Sequence, residues 1–480
     1  MGSSRNSPAA PLGCARRCLA LLALLGTLSG CVHYRAAPLE PQRSADEFAA
    51  RRLAEVQLRG ELLRLLPQAA AAWPPREWDR AELLAVALTQ NPQLAVARTQ
   101  VLVAQSHGIT AAQSLNPQLI LQSEYARHDP HPWLYGVGLN WLLRSPARRR
   151  LDIEIARLDT SNAQLHLMEQ AWAVRSALAA ALSDWESGRR RLSLLDRLAA
   201  AQDRLVALEK QRVEAGEDGP SELLTSQQAR IQIEQQTAEL RAFLDAAQVA
   251  AAKALGLPPQ ALDGVTFAWP EWGDPPPVSE NTQREAREQA LLSRADLGAA
   301  IGEYAAAEGK LRLSIARQYP EFELSPGYYW DHGIAKFPFD LGFTLPLNRN
   351  RGEIAEARAD RELAGQRMLA LQTEIYGEIV AAERAEHIAR ASADTAERQL
   401  EAARRQKQTA DLGFKLGAAD LESQVGADIL AMRAELEVLQ TRAQLQTSRN
   451  GLEDVLHAPL SGPELALAQS MVPIASGAGS

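Results

Sequence analysis

This chain has few cysteines, no long apolar run and no excess of positive charge, and each of these features excludes or disfavours a class of protein. Its 480 residues include only 3 cysteines, so a disulfide-rich scaffold is excluded. No run of 18 or more apolar residues that could form a membrane-spanning helix is present, and the longest run near the N-terminus covers only Cys18–Leu28. Acidic residues outnumber basic ones by 59 to 51, which disfavours a nucleic-acid backbone as partner. What remains is a sequence that is 46% apolar but only 5% aromatic, a composition that suits long packed helices.

The N-terminal residues 1–30 are predicted to be a cleaved secretion signal. Three arginines precede a short apolar segment, as in such leaders. The segment ends in Leu-Ser-Gly-Cys31, which resembles the bacterial lipobox, so we expect cleavage before Cys31 and a covalent lipid on its thiol. Val32 follows where an aspartate would favour retention at the inner membrane, and this favours the outer membrane. The alternative is an ordinary secretory signal in which Cys31 is incidental.

The rest of the sequence contains two copies of one unit. Ala87–Leu94 aligns with Ala290–Leu297, and at the same spacing Pro117 aligns with Pro320. Such self-similarity predicts a tandem duplication. The predicted divisions are a lipidated N-terminal segment 31–77, a first repeat 78–257, a Pro-rich linker 258–280, a second repeat 281–459 and a mobile tail 460–480.

Each repeat is predicted to contain a helix, two strands, a very long helix and a further helix. Apolar residues recur at spacings of three and four from about 147 to 214, which indicates a packed helix on the order of 100 Å long. The counterpart in the second repeat runs from about Glu353 to Asp411. Glycine-containing breaks near Gly216 and near Gly413 predict the turns between the long helices and the helices that follow them.

Between the helices, the apolar pattern changes to a period of two residues. Segments 117–143 and 319–347 contain 12 of the chain's 25 aromatic residues, mostly on one side of each predicted strand. Strands with an apolar outer face and a small or polar inner face are typical of outer-membrane barrels. Because the smallest such barrels have about eight strands, four strands predict an oligomer, with the number of copies left open. The alternative is a half-buried sheet packed on the helices.

The duplication, together with the phrases Asn91–Arg98 and Arg317–Pro320, resembles the TolC-like outer-membrane efflux proteins. The resemblance implies an α+β, mostly α fold, in which three chains form a 12-stranded barrel continuous with a periplasmic helical tunnel. It implies no catalysis and a passive channel in the outer membrane. The implied partners are a periplasmic adaptor (membrane fusion) protein and an inner-membrane pump.

In that family the periplasmic tips of the helices narrow the tunnel and contact the adaptor. The residues that the resemblance places at the adaptor contact are Gly216, Ser221, Leu223, Gly413, Gly417 and Leu421. Gly413 and Gly417 compete for the same position in the second tip. The candidate gate carboxylates are Glu217, Asp218, Asp411 and Asp420, and solvated turn residues are the alternative interpretation of these four.

No motif for a catalytic or cofactor site is present. The sequence lacks a phosphate-binding glycine loop, a His-Glu-x-x-His motif and a nucleophile elbow. His128 and His131 are expected to be plain loop residues, so we predict no metal site and no cofactor apart from the lipid on Cys31. The alternative function is a lipid-anchored periplasmic tether or adaptor without a barrel, and the cargo, pump and adaptor stay undetermined.

Overall fold

The computed structural model describes residues 34–53, 55–66, 73–465 and 467. The predicted signal peptide, Cys31 and residues 466 and 468–480 of the predicted tail therefore lie outside the described residues. The start of that tail is packed and not mobile as predicted, since Glu464 is buried and lies 2.7 Å from Arg175 in an ion pair. The chain divides into two compact units, Met1–Ala50 and Arg51–Ser480. Helix α1 (Pro41–Ala50) belongs to the first unit, and all other described elements belong to the second.

The second unit is mainly helical. Its helices are α2 (Val56–Leu65), α3 (Arg80–Gln90), α4 (Pro92–Ala112), α5 (Pro146–Glu214), α6 (Pro220–Leu255), α7 (Glu280–Ser293), α8 (Ala295–Ala316), α9 (Arg351–Lys415) and α10 (Leu421–Leu456). Its strands are β1 (Trp78–Asp79), β2 (Gln118–Tyr125), β3 (Trp133–Leu143), β4 (Phe267–Ala268), β5 (Phe322–Asp331), β6 (Ile334–Lys336) and β7 (Phe339–Phe343). The order α4, hairpin, α5, α6 in the first half is repeated as α8, hairpin, α9, α10 in the second.

Helices α3 and α4 begin where the sequence supplies side-chain caps. The Asp79 side chain accepts a hydrogen bond from Ala81 N at 2.8 Å, and Glu82 accepts one from Asp79 N, which together start α3. The Asn91 side chain accepts from Gln93 N at 2.8 Å and starts α4, with Pro92 at the first helical position. These contacts satisfy amide groups that the helix itself leaves without partners.

Two very long helices dominate the fold. Helix α5 has 69 residues and α9 has 65. Helix α5 packs along α6 and also against α4, α8 and α10, while α9 packs along α10 and α8. No helix in the described part of the chain combines the length and the apolar character needed to cross a membrane.

The largest core lies where α3 meets α5, α6 and the linker between the repeats. Leu84, Leu178 and Leu255 come from the three helices, and Trp269 and Trp272 come from the linker. All five side chains are buried. The short strands β1 and β4 pair in parallel beside this cluster, so the linker is a packed part of the fold.

The remaining strands form one antiparallel sheet in the order β2, β3, β5, with β6 and β7 both paired to β5. The fourth predicted strand is thus divided at Phe337–Pro338 and ends at Phe343 instead of near 347. Proline has no amide hydrogen to donate, and this explains the interruption. The Pro338 carbonyl still accepts a hydrogen bond from Gly327 N at 2.9 Å. Strands β6 and β7 therefore continue one another along the edge of β5.

Candidate functional site: the sheet and the helical tips

One face of the sheet is almost entirely apolar and exposed. Strand register places these residues on it: Leu119, Leu121, Tyr125, Trp133, Tyr135, Val137, Leu139, Trp141, Leu143, Phe322, Leu324, Pro326, Tyr328, Trp330, Phe339, Leu341 and Phe343. The exposed fraction is 75% for Leu121, 52% for Tyr135 and 66% for Phe339. Large apolar side chains on one continuous surface are unusual for a monomer in water and mark an interaction or membrane surface.

The opposite face is mainly polar or small. Its polar and small residues are Gln118, Gln122, Glu124, Gly136, Gly138, Asn140, Glu323, Ser325, Gly327, Asp331, Asp340 and Gly342, and its larger apolar residues are Ile120, Leu134, Leu142 and Tyr329. The Ser325 hydroxyl lies 3.5 Å from Asn140 Oδ1, and Asn140 donates a hydrogen bond to Glu323 on the neighbouring strand. Lys336 forms an ion pair with Asp331. This face therefore carries more carboxylates than cations and can contact water.

Three glycines on the polar face make room for one aromatic ring. The Tyr329 ring lies against Gly136, Gly138 and Gly327, and a Cβ atom added to Gly136 would lie 2.1 Å from Tyr329 Cδ1. Gly136 is the cross-strand partner of Tyr329, so the ring crosses from β5 over β3. Glycine in these strands thus permits a flat aromatic side chain to pack on the sheet.

Both edges of the sheet are open in the described part of the chain. Strand β2 pairs only with β3, and β6 and β7 pair only with β5. Unpaired amide and carbonyl groups at a sheet edge are available to another strand. A sheet with an exposed apolar face and two open edges is structurally incomplete by itself.

The helical tips form at the turns between α5 and α6 and between α9 and α10. Gly216 has φ +75° and Gly417 has φ +72°. Glu217 N donates to Arg212 O at 2.9 Å, and in the second tip Ala418 N donates to Gly413 O at 2.8 Å in the same pattern. Gly417 is therefore the counterpart of Gly216. Gly413 lies within the last turn of α9, two residues before its end, so Gly417 and not Gly413 occupies the position of Gly216.

An arginine that the sequence analysis did not single out connects the two tips. Arg212 Nε lies 2.6 Å from Asp218 Oδ2, and its Nη1 lies 3.4 Å from Asp420 Oδ2. Arg212 also forms an ion pair with Glu422, and Glu217 lies at the 4.0 Å limit of this group. These carboxylates raise the pKa of the Arg212 guanidinium. Only the fold shows this group, because α5 and α10 are far apart in sequence.

The fourth predicted gate carboxylate has a different environment. Asp411 accepts a hydrogen bond from Gln424 Nε2 at 2.8 Å, which joins α9 to α10 within the second tip. Asp420 is the N-cap of α10, and the hydrogen bonds from Ser423 hold its pKa below the usual range. The structure thus brings three of the four candidates to Arg212 and leaves Asp411 outside that group.

The predicted adaptor-contact residues surround these turns. Ser221 and Leu421 are exposed at the starts of α6 and α10, and Leu223 is half-buried. Further exposed leucines that the sequence analysis did not select lie nearby: Leu224, Leu412 and Leu416. The tips therefore offer apolar side chains beside a charged group, and the docking and gating roles stay predictions.

The turns at the ends of the two hairpins lie together. Asp129 accepts a hydrogen bond from His131 N at 2.8 Å, and His332 Nδ1 donates to the His131 carbonyl at 2.7 Å. His332 comes from the second hairpin, so this contact joins the two turns. Among the described residues, no group with metal-binding geometry occurs here.

Residues 286–456 match the family model described as outer membrane efflux protein. The second repeat carries an outer membrane efflux protein domain. The resemblance inferred from the sequence is confirmed by this match. No curated protein matches the chain.

Solved structures with the same fold cover most of the chain. The outer membrane protein VceC from Vibrio cholerae is 16% identical with a TM-score of 0.64, over 80% of this chain and 97% of VceC. The CmeC outer membrane channel from Campylobacter jejuni is 14% identical with a TM-score of 0.65, over 83% and 89%. The open-state MtrE outer membrane channel from Neisseria gonorrhoeae is 17% identical with a TM-score of 0.64, over 81% and 90%. At these identities the likeness establishes the fold, and the proteins that share it are outer membrane proteins and channels.

Proposed function

We propose that this protein is the outer-membrane channel of a tripartite efflux system. It passively conducts substrates that an inner-membrane pump and a periplasmic adaptor deliver to the helical tips. The observation that carries the proposal is the sheet, whose aromatic face is exposed and whose other face is polar. An outer-membrane barrel needs lipid outside and water inside, and strands of this kind meet both requirements.

The open edges of the sheet support a trimer with a shared barrel. No unpaired strand edge can face hydrocarbon, since the cost of each unsatisfied amide or carbonyl is several kcal/mol. Two hairpins are too few to close a barrel, so each edge is paired with a neighbouring protomer. Helix α4 supplies a second apolar surface for such contacts, with Val96, Leu102 and Ile109 exposed along it.

The location proposed for the chain is the outer membrane, anchored through a lipid on Cys31 and extending into the periplasm. The tips then face the periplasm and form the entrance. The ion pairs of Arg212 connect the two tips of one protomer. In this proposal they hold the entrance closed, and the entrance opens when they separate. Asp218, Asp420 and Glu217 are the gate carboxylates in this proposal.

The alternative is a lipid-anchored periplasmic tether or adaptor with the sheet packed in water. Such a sheet requires an element that covers its apolar face. In the described ranges the helices leave that face exposed, and this favours the channel.

The test compares two arginine substitutions on adjacent residues of β2. Leu121 lies on the apolar face and Gln122 on the polar face. Arginine at a lipid-facing position near the bilayer centre costs about 2–4 kcal/mol, whereas one in the lumen is tolerated. We expect Leu121→Arg to reduce trimers extracted from outer membranes, measured by native mass spectrometry, and Gln122→Arg to leave trimer yield unchanged.

Conductance of the wild-type protein in planar bilayers completes the test. A stable trimer with ion conductance supports the channel. A monomer that is released without detergent, with equal yields of both arginine variants, would overturn it in favour of the tether.

A further inference from the structure

A group of metal-binding side chains lies where the last helix of the second repeat meets the long helix of the first. It consists of Glu169 from α5, Asp296 at the start of α8 and His457 directly after α10. One ligand atom from each residue lies within 4.8 Å of the other two. Among the described residues no other group of histidine, cysteine and acidic side chains has this geometry.

Glu169 has a carboxylate oxygen with no partner of its own. Its Oε2 atom is buried and accepts no hydrogen bond from the described residues. The nearest basic atom is His457 Nδ1 at 3.7 Å, beyond hydrogen-bond distance. Burial and the neighbouring charges of Asp296 and Asp454 raise the pKa of Glu169. A buried acceptor of this kind is costly unless a proton or cation satisfies it.

Surrounding side chains hold the other two residues in place. Arg294 Nη2 lies 2.7 Å from Asp296 Oδ2, and its Nε lies 3.1 Å from Asp296 Oδ1. The His457 ring stacks on Trp172, with ring centroids 5.3 Å apart. Outer partners that orient metal ligands in this way are a regular feature of metal sites.

The local charge also favours a cation. Glu169, Asp296 and Asp454 contribute three carboxylates, and Arg294 is the guanidinium that faces them. Asp454 is occupied by Trp172, whose Nε1 donates to its Oδ1 at 3.0 Å, and by Ser176. A divalent ion between Glu169, Asp296 and His457 would balance the remaining negative charge.

His457 also differs from its counterpart in the first repeat. His457 has φ +49°, a left-handed conformation that side-chain-bearing residues adopt infrequently. The first repeat has Gly256, at φ +73°, in the equivalent position after α6. The second repeat thus has an imidazole in the position that glycine occupies in the first, and one of its ring nitrogens lies within 4.8 Å of carboxylate oxygens of Glu169 and Asp296.

We propose that Glu169, Asp296 and His457 bind one Zn²⁺ ion, or a borderline transition-metal ion of the same class, per chain. One nitrogen and two carboxylate oxygens suit Zn²⁺, with water in the fourth position. Ca²⁺ and Mg²⁺ prefer all-oxygen sites and bind weakly here. The ion connects α5 of the first repeat to both ends of the second repeat. The proposal is independent of the channel function.

The test is isothermal titration of Zn²⁺ into the metal-stripped full chain in mild detergent, with thermal unfolding followed in parallel. We expect one Zn²⁺ per chain and a higher unfolding midpoint. Glu169→Gln and His457→Asn should each lower the affinity at least about tenfold, as removal of metal ligands or their outer partners does. Co²⁺ should give visible absorbance bands of a tetrahedral site that both variants lose.

His387→Asn is the matched control, since His387 is an exposed histidine on α9. It should bind as the wild type does. Glu169→Gln preserves the side-chain shape, so its fold can be checked by the unfolding midpoint without metal. Absence of Zn²⁺ binding, equal affinity in all variants, or Ca²⁺ binding as tight as Zn²⁺ would each overturn the proposal.

Discussion

In both repeats the residue that follows the last helix has the same left-handed backbone conformation. The side chains around this helix end, called here the junction of the repeat, differ between the two copies. In the first repeat Asn91 Nδ2 donates to Ala254 O at 2.8 Å, and Gly256 follows α6. In the second, Arg294 Nη1 donates to Val455 O at 2.6 Å, and His457 follows α10. One backbone contact is therefore made by a neutral amide in one copy and by a guanidinium in the other.

In both repeats the residue after the last helix has the same backbone conformation, but the side chains around it differ. The geometry of this helix end is therefore kept between the repeats more closely than its side chains are. The first junction is close-packed, and the charged group there is the Arg51 guanidinium, which donates to Gly256 O at 3.1 Å. The second is charged, and burial lowers the pKa of His457 to about 4. Substitutions at the two junctions should therefore change the free energy of unfolding by different amounts.

The largest effect is expected at Gly256. A Cβ atom there would lie 2.4 Å from Gln90 O and 2.9 Å from the Asn91 Cα, in a backbone with positive φ. Gly256→Ala should lower the free energy of unfolding by about 4 kcal/mol, from backbone strain and overlap together. The measurement is urea or thermal unfolding of the detergent-solubilised protein.

Gly264→Ala is the matched control for that substitution. Gly264 has φ +72°, but an added Cβ would meet nothing within 4 Å. Only the conformational cost of about 1–2 kcal/mol applies there. Equal losses in both variants would show that close packing at the first junction is unimportant.

The second effect concerns pH and the second junction. The folded-state pKa of His457 is about 4, below the usual 6.5, because burial and Arg294 oppose its charge. Its contribution to stability is present above pH 6.5 and lost as the pH falls toward 4, by roughly 3 kcal/mol. Glu169 acts in the opposite direction, since its pKa is raised and its protonation in acid favours the folded state.

Comparison with His457→Asn separates these two contributions, because the variant retains Glu169. The difference in unfolding free energy between wild type and variant, measured without metal from pH 7 to pH 4, should shrink steadily. A difference that is constant with pH would contradict the assignment to His457.

The third effect is at Asn91, which is buried. Asn91→Ala removes the donor to Ala254 O and the acceptor for Gln93 N. Loss of a cap together with an unsatisfied buried carbonyl should cost about 2 kcal/mol in unfolding free energy. Asn116→Ala, at an exposed position before β2, is the control and should leave the unfolding free energy unchanged. A similar loss in that variant would contradict the role assigned to Asn91 at the first junction.

The smallest effect on stability is expected at the tips, where the first repeat supplies the cation and the second supplies Asp420 and Glu422. Arg212→Ala removes partly exposed ion pairs, which contribute little to folding. If these pairs hold the entrance closed, single-channel conductance or open time in planar bilayers should rise about twofold or more. Arg230→Ala, which removes a pair with Asp203 between α6 and α5, should leave both unchanged.

Much of the fold was predictable because its signals are local. The period-two pattern located the hairpins, and the spacing of three and four residues located the long helix over about 147–214, which the structure gives as Pro146–Glu214. The interruption at Pro338 and the position of Gly413 inside α9 were not predicted. Each depends on which residue pairs with which across the fold, since a proline or glycine in sequence does not by itself show its partner.

The candidate site was predictable in part. The sequence selected Asp218 and Asp420 as acidic turn residues but not Arg212, which lies within a helix rich in arginine and has no local feature to distinguish it. The predicted absence of a metal site rested on short motifs, whereas Glu169, Asp296 and His457 come from three separate helices. Cys31 lies outside the described residues, and its lipid stays a prediction.

The sequence by itself determined the repeat, the periodicities and the helix ends, because backbone propensity and the spacing of apolar residues act between near neighbours. Only the tertiary structure decided which charges meet. Arg212 reaches Asp420, and His457 reaches Glu169, because α5 packs against α10 along its length. Such contacts depend on the register between long helices, which many distant side chains set together.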